Sequence, residues 1–258
     1  MNSINGAMTD VSTIEPLAHD EAMRLQAHEL DRTLALLQSL DAAEWTARTA
    51  CPAWNILAMY QHVLGACESG ASIRENVRQL RRARAHRRQH GGPLEAALSA
   101  VQVDDRSDLN PAQIVQRLTT TAPKTVRGRA RTPALVRERA KLAVDGPVHE
   151  TWKLGYLIDT IYLRDLWMHR TDAVRALDRS LELTASHDGR IVADVVAEWA
   201  RRHGKPFKLE LSGPAGQIYA RDPDHPQAEH LTLDATDFCR TLAGRGHPTG
   251  LLTTVVPF

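Results

Sequence analysis

The segment from Tyr156 to Asp172 limits the possible folds of this chain more than any other. It is long enough for a helix of about five turns, and most of its positions carry apolar side chains. A helix of that kind must be at least partly buried against other helices. Within it, Asp165 and His169 stand four residues apart, which puts both side chains on one helix face about 6 Å apart. A carboxylate and an imidazole so placed can bind one cation together.

A third ligand for such a cation is expected from His62, which lies in a second apolar, helix-like stretch, Trp54–Leu64. Buried polar side chains need partners, and a single cation would satisfy all three. Two histidines and one carboxylate suit a borderline metal such as zinc, and a vacant fourth position is typical of catalytic sites. The alternative is that Asp165 and His169 form an ordinary helix-stabilising pair, worth about 0.2–0.5 kcal/mol.

The rest of the N-terminal sequence predicts further amphipathic helices, because apolar residues recur there at three- and four-residue steps. We expect helices over residues 20–40, 56–69 and 73–89, from residue 113 onwards, and again over 132–143. Asn55 and Asn110 are suitable N-caps, and Pro111 suits a first helical position. Short connections between such helices favour a four-helix bundle, which builds metal sites from side chains on facing helices.

The pattern changes after Asp172. One more amphipathic helix is predicted over Ser186–Arg202, and apolar and polar residues then alternate over Phe207–Leu211. Residues 217–220 and 231–233 are expected to add two strands, and residues 237–243 a short helix. The predicted protein is therefore mainly α, with a metal-binding four-helix bundle over residues 1–175 and a small α+β domain over residues 176–258.

Composition excludes several classes of protein. The formal net charge of +1 argues against an electrostatic nucleic-acid or membrane binder, and the arginine-rich stretch Ile73–Gln89 is interpreted as a solvated helix face. The sequence has no long apolar run and no secretory signal, so we expect a cytoplasmic protein, as a monomer or homodimer. Three scattered cysteines are too few for a disulfide framework, and each is interpreted as a small buried hydrophobe.

Several motifs together resemble a known family. Cys51-Pro-Ala-Trp-Asn-Ile-Leu-Ala-Met-Tyr-Gln-His62 and Arg164-Asp-Leu-Trp-Met-His-Arg-Thr-Asp172 are similar to segments of the DinB-like, mycothiol-dependent maleylpyruvate isomerase family. Leu233–Arg245 and the final Val-Val-Pro-Phe258 resemble the C-terminal domain of that family, which is related to sterol-carrier-like folds. The ordered combination spans almost the whole chain and is more specific than any single piece.

This resemblance implies a function as well as a fold. In the family, two histidines and a carboxylate hold a divalent metal, usually zinc, that activates a low-molecular-weight thiol; the matching residues here are His62, Asp165 and His169. The family carries Glu where this chain has Asp165, and the shorter side chain can still ligate at about 2.0–2.2 Å if the backbone approaches. The partners implied are mycothiol, or a similar thiol, and a small electrophile that is isomerised or receives the thiol.

Electrophiles of this kind are often carboxylates, so an arginine near the metal would help to bind them. Arg245, Arg81 and Arg82 are the candidates for that catalytic role, and the alternative for each is a solvated surface charge.

Two other functions remain open from the sequence. The vacant metal position could activate water in a hydrolase, with His149 or Glu150 as the base. The chain could instead be a non-catalytic protein that binds a small molecule.

Overall fold

The computed structural model describes residues 7–146 and 149–258. Its contacts divide the chain into two compact units: one is formed by Ala18–Ser180, and the other by Leu181–Phe258 together with the described residues up to Leu17. The sequence had placed the boundary near residue 175 and had assigned the whole N-terminus to the first domain. Residues 1–6 of that expectation lie outside the described part of the chain.

The first unit is helical. Its helices are α1 (His19–Gln38), α2 (Ile56–Ala71), α3 (Ile73–His90), α4 (Leu94–Asp104), α5 (Pro111–Ala130), α6 (Ala134–Arg139), α7 (Leu154–Tyr156) and α8 (Tyr162–Ala176). Helices α1, α2, α5 and α8 pack on one another as a four-helix bundle, and α3 and α4 pack together beside α2. This agrees with the predicted bundle.

Local sequence explains where the bundle helices begin. The Asn55 side chain accepts a hydrogen bond from the backbone N–H of Ala58 at 2.9 Å, so it caps α2 as predicted. At α5, Asn110 and Gln113 form a reciprocal capping box, and Pro111 occupies the first turn. Both helices therefore have defined starting points, which fixes the direction of the side chains that follow.

The buried core of this unit lies between α1, α2, α5 and α8. Its largest members include Trp45, Tyr60, Leu64 and Ile114. Helices α2 and α5 approach closely where Gly70 meets Gly128, since a Cβ added at Gly128 would lie 2.3 Å from the Gly70 carbonyl oxygen. Only a residue without a side chain permits that separation.

One prediction for the first unit is wrong. The helix expected over residues 132–143 is limited to α6, and the chain continues as a hairpin of β2 (Lys141–Asp145) and β3 (His149–Lys153). Three apolar residues lie between Lys141 and Asp145 in β2, and Leu142 pairs with Trp152 across the two strands. The cross-strand partners outweigh the weak helical pattern, which had been extended across Ala140.

The second unit is α+β, as predicted. It contains β1 (Thr9–Asp10), α9 (Arg190–His203), β4 (Phe207–Ser212), β5 (Ile218–Arg221), β6 (Glu229–Asp234) and α10 (Ala235–Leu242). The sheet order is β1-β5-β4-β6, with β4 and β5 antiparallel and the two outer pairs parallel. Strands β4, β5 and β6 confirm the three predicted strands. Strand β1 was not predicted, because its two residues are too few to form a recognisable pattern.

The apolar face of α9 forms the core of the second unit. The Trp199 ring meets Phe207 and Phe238 edge to face, with centroids 4.7 Å and 5.4 Å away, and its Nε1 donates to the Leu251 carbonyl at 3.0 Å. Gly213, with φ of 88°, allows the turn between β4 and β5.

No helix in the described part of the chain is both long enough and apolar enough to cross a membrane.

Candidate metal centre

Helices α2 and α8 bring His62, Asp165 and His169 together inside the bundle. One carboxylate oxygen of Asp165 lies 3.2 Å from His169 Nε2, and the other lies 3.9 Å from His62 Nε2. The three ligand atoms all lie within 4.8 Å of one another. The three residues therefore converge as expected, although about a hundred residues separate His62 from Asp165 in the sequence.

The unmet hydrogen-bonding capacity of this cluster fits a cation. The side chains of His62 and His169 are only 13% and 7% exposed. Among the described residues, no aligned hydrogen-bond partner is found for His62 Nδ1 or for either ring nitrogen of His169. Buried nitrogens in that state are costly, and two imidazoles with one carboxylate are a donor set that zinc accepts.

Electrostatics within the cluster keep Asp165 ionised. Burial disfavours its charged form, but the neighbouring His169 and His62 outweigh burial and hold the pKa of this carboxyl well below its usual range. The side chain remains 27% exposed, so the site is open on one side. An anionic oxygen ligand is thus available at neutral pH.

Trp54 forms one wall of the cluster. Its indole stacks on the His62 ring with centroids 5.0 Å apart and planes 28° apart, and its centroid lies 6.4 Å from that of His169. The two imidazoles meet edge to face at 5.3 Å. The sequence interpretation assigned no role to Trp54, although it lies in the motif that carried the family resemblance.

A π-helical turn over Leu157–Ile161 precedes α8 and contributes to the direction of the helix face that carries Asp165 and His169. A π turn inserts one residue into the helical repeat, which rotates all later side chains, and such turns are frequent at functional sites. Asp159 within the turn contacts His19 Nδ1 at 2.6 Å and Arg137 at 3.0 Å, and Gln26 donates to the Ile158 carbonyl at 2.6 Å. Contacts with α1 and α6 therefore hold the irregular turn in place.

The three arginines proposed from the sequence lie in different surroundings. Arg81 is exposed on α3, and Arg82 on the same helix forms an ion pair with Asp105. Arg245 follows α10 in the second unit and donates to the Ala243 carbonyl at 3.2 Å. Their catalytic role stays a prediction. Arg164, next to the candidate ligand Asp165 in sequence, is completely buried.

The other residues considered in the sequence are the candidate bases His149 and Glu150 and the three cysteines, and none of them belongs to the metal-ligand cluster. His149 on β3 is 85% exposed, and Glu150 accepts a hydrogen bond from Trp152 Nε1. Burial raises the pKa of the Cys67 thiol, which suits a buried hydrophobe rather than a nucleophile. Cys239 is buried as well, and Cys51 is partly buried.

Comparisons with known proteins agree with the motifs. A family model described as the mycothiol maleylpyruvate isomerase N-terminal domain matches residues 26–174. Two solved structures share the fold, each with a TM-score of 0.56 over 93% of both chains: a mycothiol-dependent maleylpyruvate isomerase at 17% identity and its histidine-to-alanine mutant at 16%. No curated protein matches the chain. The family match covers more than half of the sequence and includes all three clustered residues, so this chain belongs to the mycothiol maleylpyruvate isomerase N-terminal domain family.

Proposed function

We propose that this protein is a metal-dependent enzyme that uses a low-molecular-weight thiol, mycothiol, to attack a small electrophile, as an isomerase or as a thiol S-transferase. The observation that carries the proposal is the convergence of His62, Asp165 and His169, with buried ring nitrogens that lack an aligned hydrogen-bond partner among the described residues, in a member of this family. Both structural relatives are named mycothiol-dependent maleylpyruvate isomerases, which supports the choice of thiol and of the reaction class.

A thiol with a pKa near 8.5 is mostly protonated at neutral pH, and therefore a weak nucleophile. A bound divalent cation, zinc by our proposal, would supply a Lewis acid that favours the thiolate. His62 and His169 would hold it through neutral imidazoles, and Asp165 through an anionic oxygen that offsets part of its charge. The Asp165 side chain is shorter than the Glu of the family. It would have to reach the same metal position as His169, which lies one helical turn later.

Two reactions are open to a thiolate in this site. It can add to an electron-poor double bond, forming a C–S bond while the electron pair of the double bond moves to the neighbouring carbon. Rotation about the resulting single bond and departure of the thiolate give the isomer and regenerate the thiol. If a leaving group departs instead with the electron pair, the sulfur remains attached and the reaction is S-transfer. The thiol would be drawn from the reducing cytoplasm.

The test is an assay of zinc-loaded protein with purified mycothiol and a panel of cis-alkenes and alkyl halides, together with metal analysis. We expect metal near one equivalent and turnover that requires the thiol. Asp165→Asn should lower both, because an amide oxygen carries no charge. Asp108→Asn is the matched control, since Asp108 is an exposed carboxylate of the same unit.

The same assay separates the alternatives. Metal-dependent ester or amide hydrolysis without thiol would contradict our proposal and favour the hydrolase. Absence of bound metal, with tight binding of a small molecule, would favour the non-catalytic binding protein.

A further inference from the structure

A cavity of about 330 Å³ lies beside the candidate metal centre, in the helical unit. Its volume is at the lower end of the range for small-molecule pockets, so it suits a small group rather than a large ligand. The lining residues are Thr46, Arg48, Ala53, Trp54, Asn55 and Ala58. None of these contributes a ligand to the cluster of His62, Asp165 and His169, and the sequence interpretation gave the cavity no role.

Arg48 gives this cavity its chemical character. It is the single charged residue of the lining, and in the described part of the chain no hydrogen bond or ion pair engages its guanidinium. No carboxylate lines the cavity. The backbone at Arg48 is held by a bridge to Asn55, and the neighbouring Ala47 carbonyl accepts from the Ile56 N–H at 3.0 Å. The position of the side chain's origin is thus fixed, while its charge is available to a ligand.

A second cavity of the unit shows the contrast. It measures about 400 Å³, and its lining includes Glu68, Glu75 and Asp105 beside several basic residues. Arg106 and Arg117 there pair with Glu68, and Arg78 pairs with Glu75, so the three carboxylates offset most of the charge of the four basic residues. Charge compensation of this kind stabilises a fold and leaves little attraction for an anion. The Arg48 cavity has no such compensation.

Trp54 links the Arg48 cavity to the metal centre, because it lines the cavity and stacks on His62 at 5.0 Å. The same indole therefore borders both the cavity and the cluster of His62, Asp165 and His169. This arrangement suits a small electrophile that reacts at the centre and carries an anionic group a few bonds away.

We propose that this cavity is a carboxylate-binding subsite, in which Arg48 holds a carboxylate of the reacting molecule while Trp54 positions the rest of it towards His62. The proposal rests on the proposed function, since it names the substrate class of the same site. The carboxylate belongs to the electrophile, because the cysteine carboxyl of mycothiol is bound in an amide. A planar guanidinium binds a carboxylate through two parallel hydrogen bonds, which a point charge cannot imitate.

The test measures binding of maleate to the protein by calorimetry, with and without zinc, alongside dimethyl maleate as the uncharged analogue. Arg48→Gln should raise the Kd for maleate about 3- to 10-fold in both states and leave the ester unaffected, as expected for a partly exposed charged pair. Arg48→Lys should recover part of the loss. Arg131→Gln is the matched control, because Arg131 is an exposed arginine at the end of α5. Equal Kd values for Arg48→Gln and wild type would overturn the proposal.

Steady-state kinetics test the subsite in the working enzyme. Arg48→Gln should raise the KM for acid electrophiles, but not the KM for their esters or for mycothiol. An unchanged KM for acid electrophiles, in an enzyme that still turns over with thiol, refutes the subsite and leaves the proposed function intact. If the protein shows no thiol-dependent turnover but the maleate effect of Arg48 persists, the proposed function fails and the binding site stands.

Discussion

Replacement of His169 by Ala should remove metal binding while leaving the helical unit folded. His169 would be one of three protein ligands, and its side chain is only 7% exposed. Loss of partners that merely orient a ligand weakens metal affinity about 10- to 100-fold, so loss of a direct ligand should weaken it by at least about 100-fold. In the metal-free protein the change in stability should be small. The substitution removes buried nitrogens that lack an aligned hydrogen-bond partner, a gain of about 1–3 kcal/mol. It also leaves a cavity and takes away the ring that favours the charged Asp165 carboxylate, which together cost a similar amount.

The expected size of the effect follows from the part of the stability that depends on bound metal. At a zinc concentration about 1,000-fold above the Kd, a bound ion stabilises the wild type by about 4.1 kcal/mol, whereas a 100-fold weaker site gains about 1.4 kcal/mol. The difference of about 2.7 kcal/mol corresponds to about 5–11 °C in Tm for a unit of this size.

Thermal unfolding with zinc and with chelator, together with metal content, measures this difference. His149→Ala is the matched control, because His149 is 85% exposed on β3. The reasoning is refuted if zinc raises the Tm of His169→Ala and of wild type equally, since Asp165 and His169 would then be an ordinary helix pair.

Two further predictions concern the helical unit. Gly128→Ala should destabilise it by about 1–3 kcal/mol, because the new Cβ would lie 2.3 Å from the Gly70 carbonyl oxygen. Gly146→Ala is the control, since its new Cβ would meet only one atom, at 3.9 Å. Equal Tm values for the two variants would contradict the close approach of the helices. The Arg78 hydrogen bond lowers the pKa of Glu75 to about 2. Because the folded-state pKa lies below the unfolded one, the stabilisation is full above about pH 4.5 and is lost as the pH falls towards 2. Urea unfolding of Glu75→Gln should therefore show a deficit of about 1–2 kcal/mol at pH 7 that disappears near pH 2, and a deficit independent of pH would contradict this assignment.

Much of the fold followed from local sequence. Asn55 and Asn110 mark helix starts because their side chains cap free N–H groups of the next turn, and this depends on only three or four residues. The alternation over Phe207–Leu211 is also a local signal. It predicts β4 because one face of the strand must be buried. The spacing of Asp165 and His169 put both on one helix face, and that geometry holds wherever the helix packs.

Other features depended on the tertiary structure. The two residues of β1 become a strand only because β5, more than two hundred residues later, offers its edge. The β2–β3 hairpin replaces a predicted helix because its cross-strand partners meet only when both strands are present. The π turn before α8 is held by His19 and Arg137, which come from distant parts of the sequence.

The candidate site divides in the same way. Its ligand types and the spacing on α8 are local properties, and the sequence by itself determined them. The approach of His62, the stacking of Trp54 and the cavity beside Arg48 depend on how α2 packs against α8 and on the path of the loop before α2. Such contacts arise from the packing of whole helices, which no local pattern encodes, so only the tertiary structure decided them.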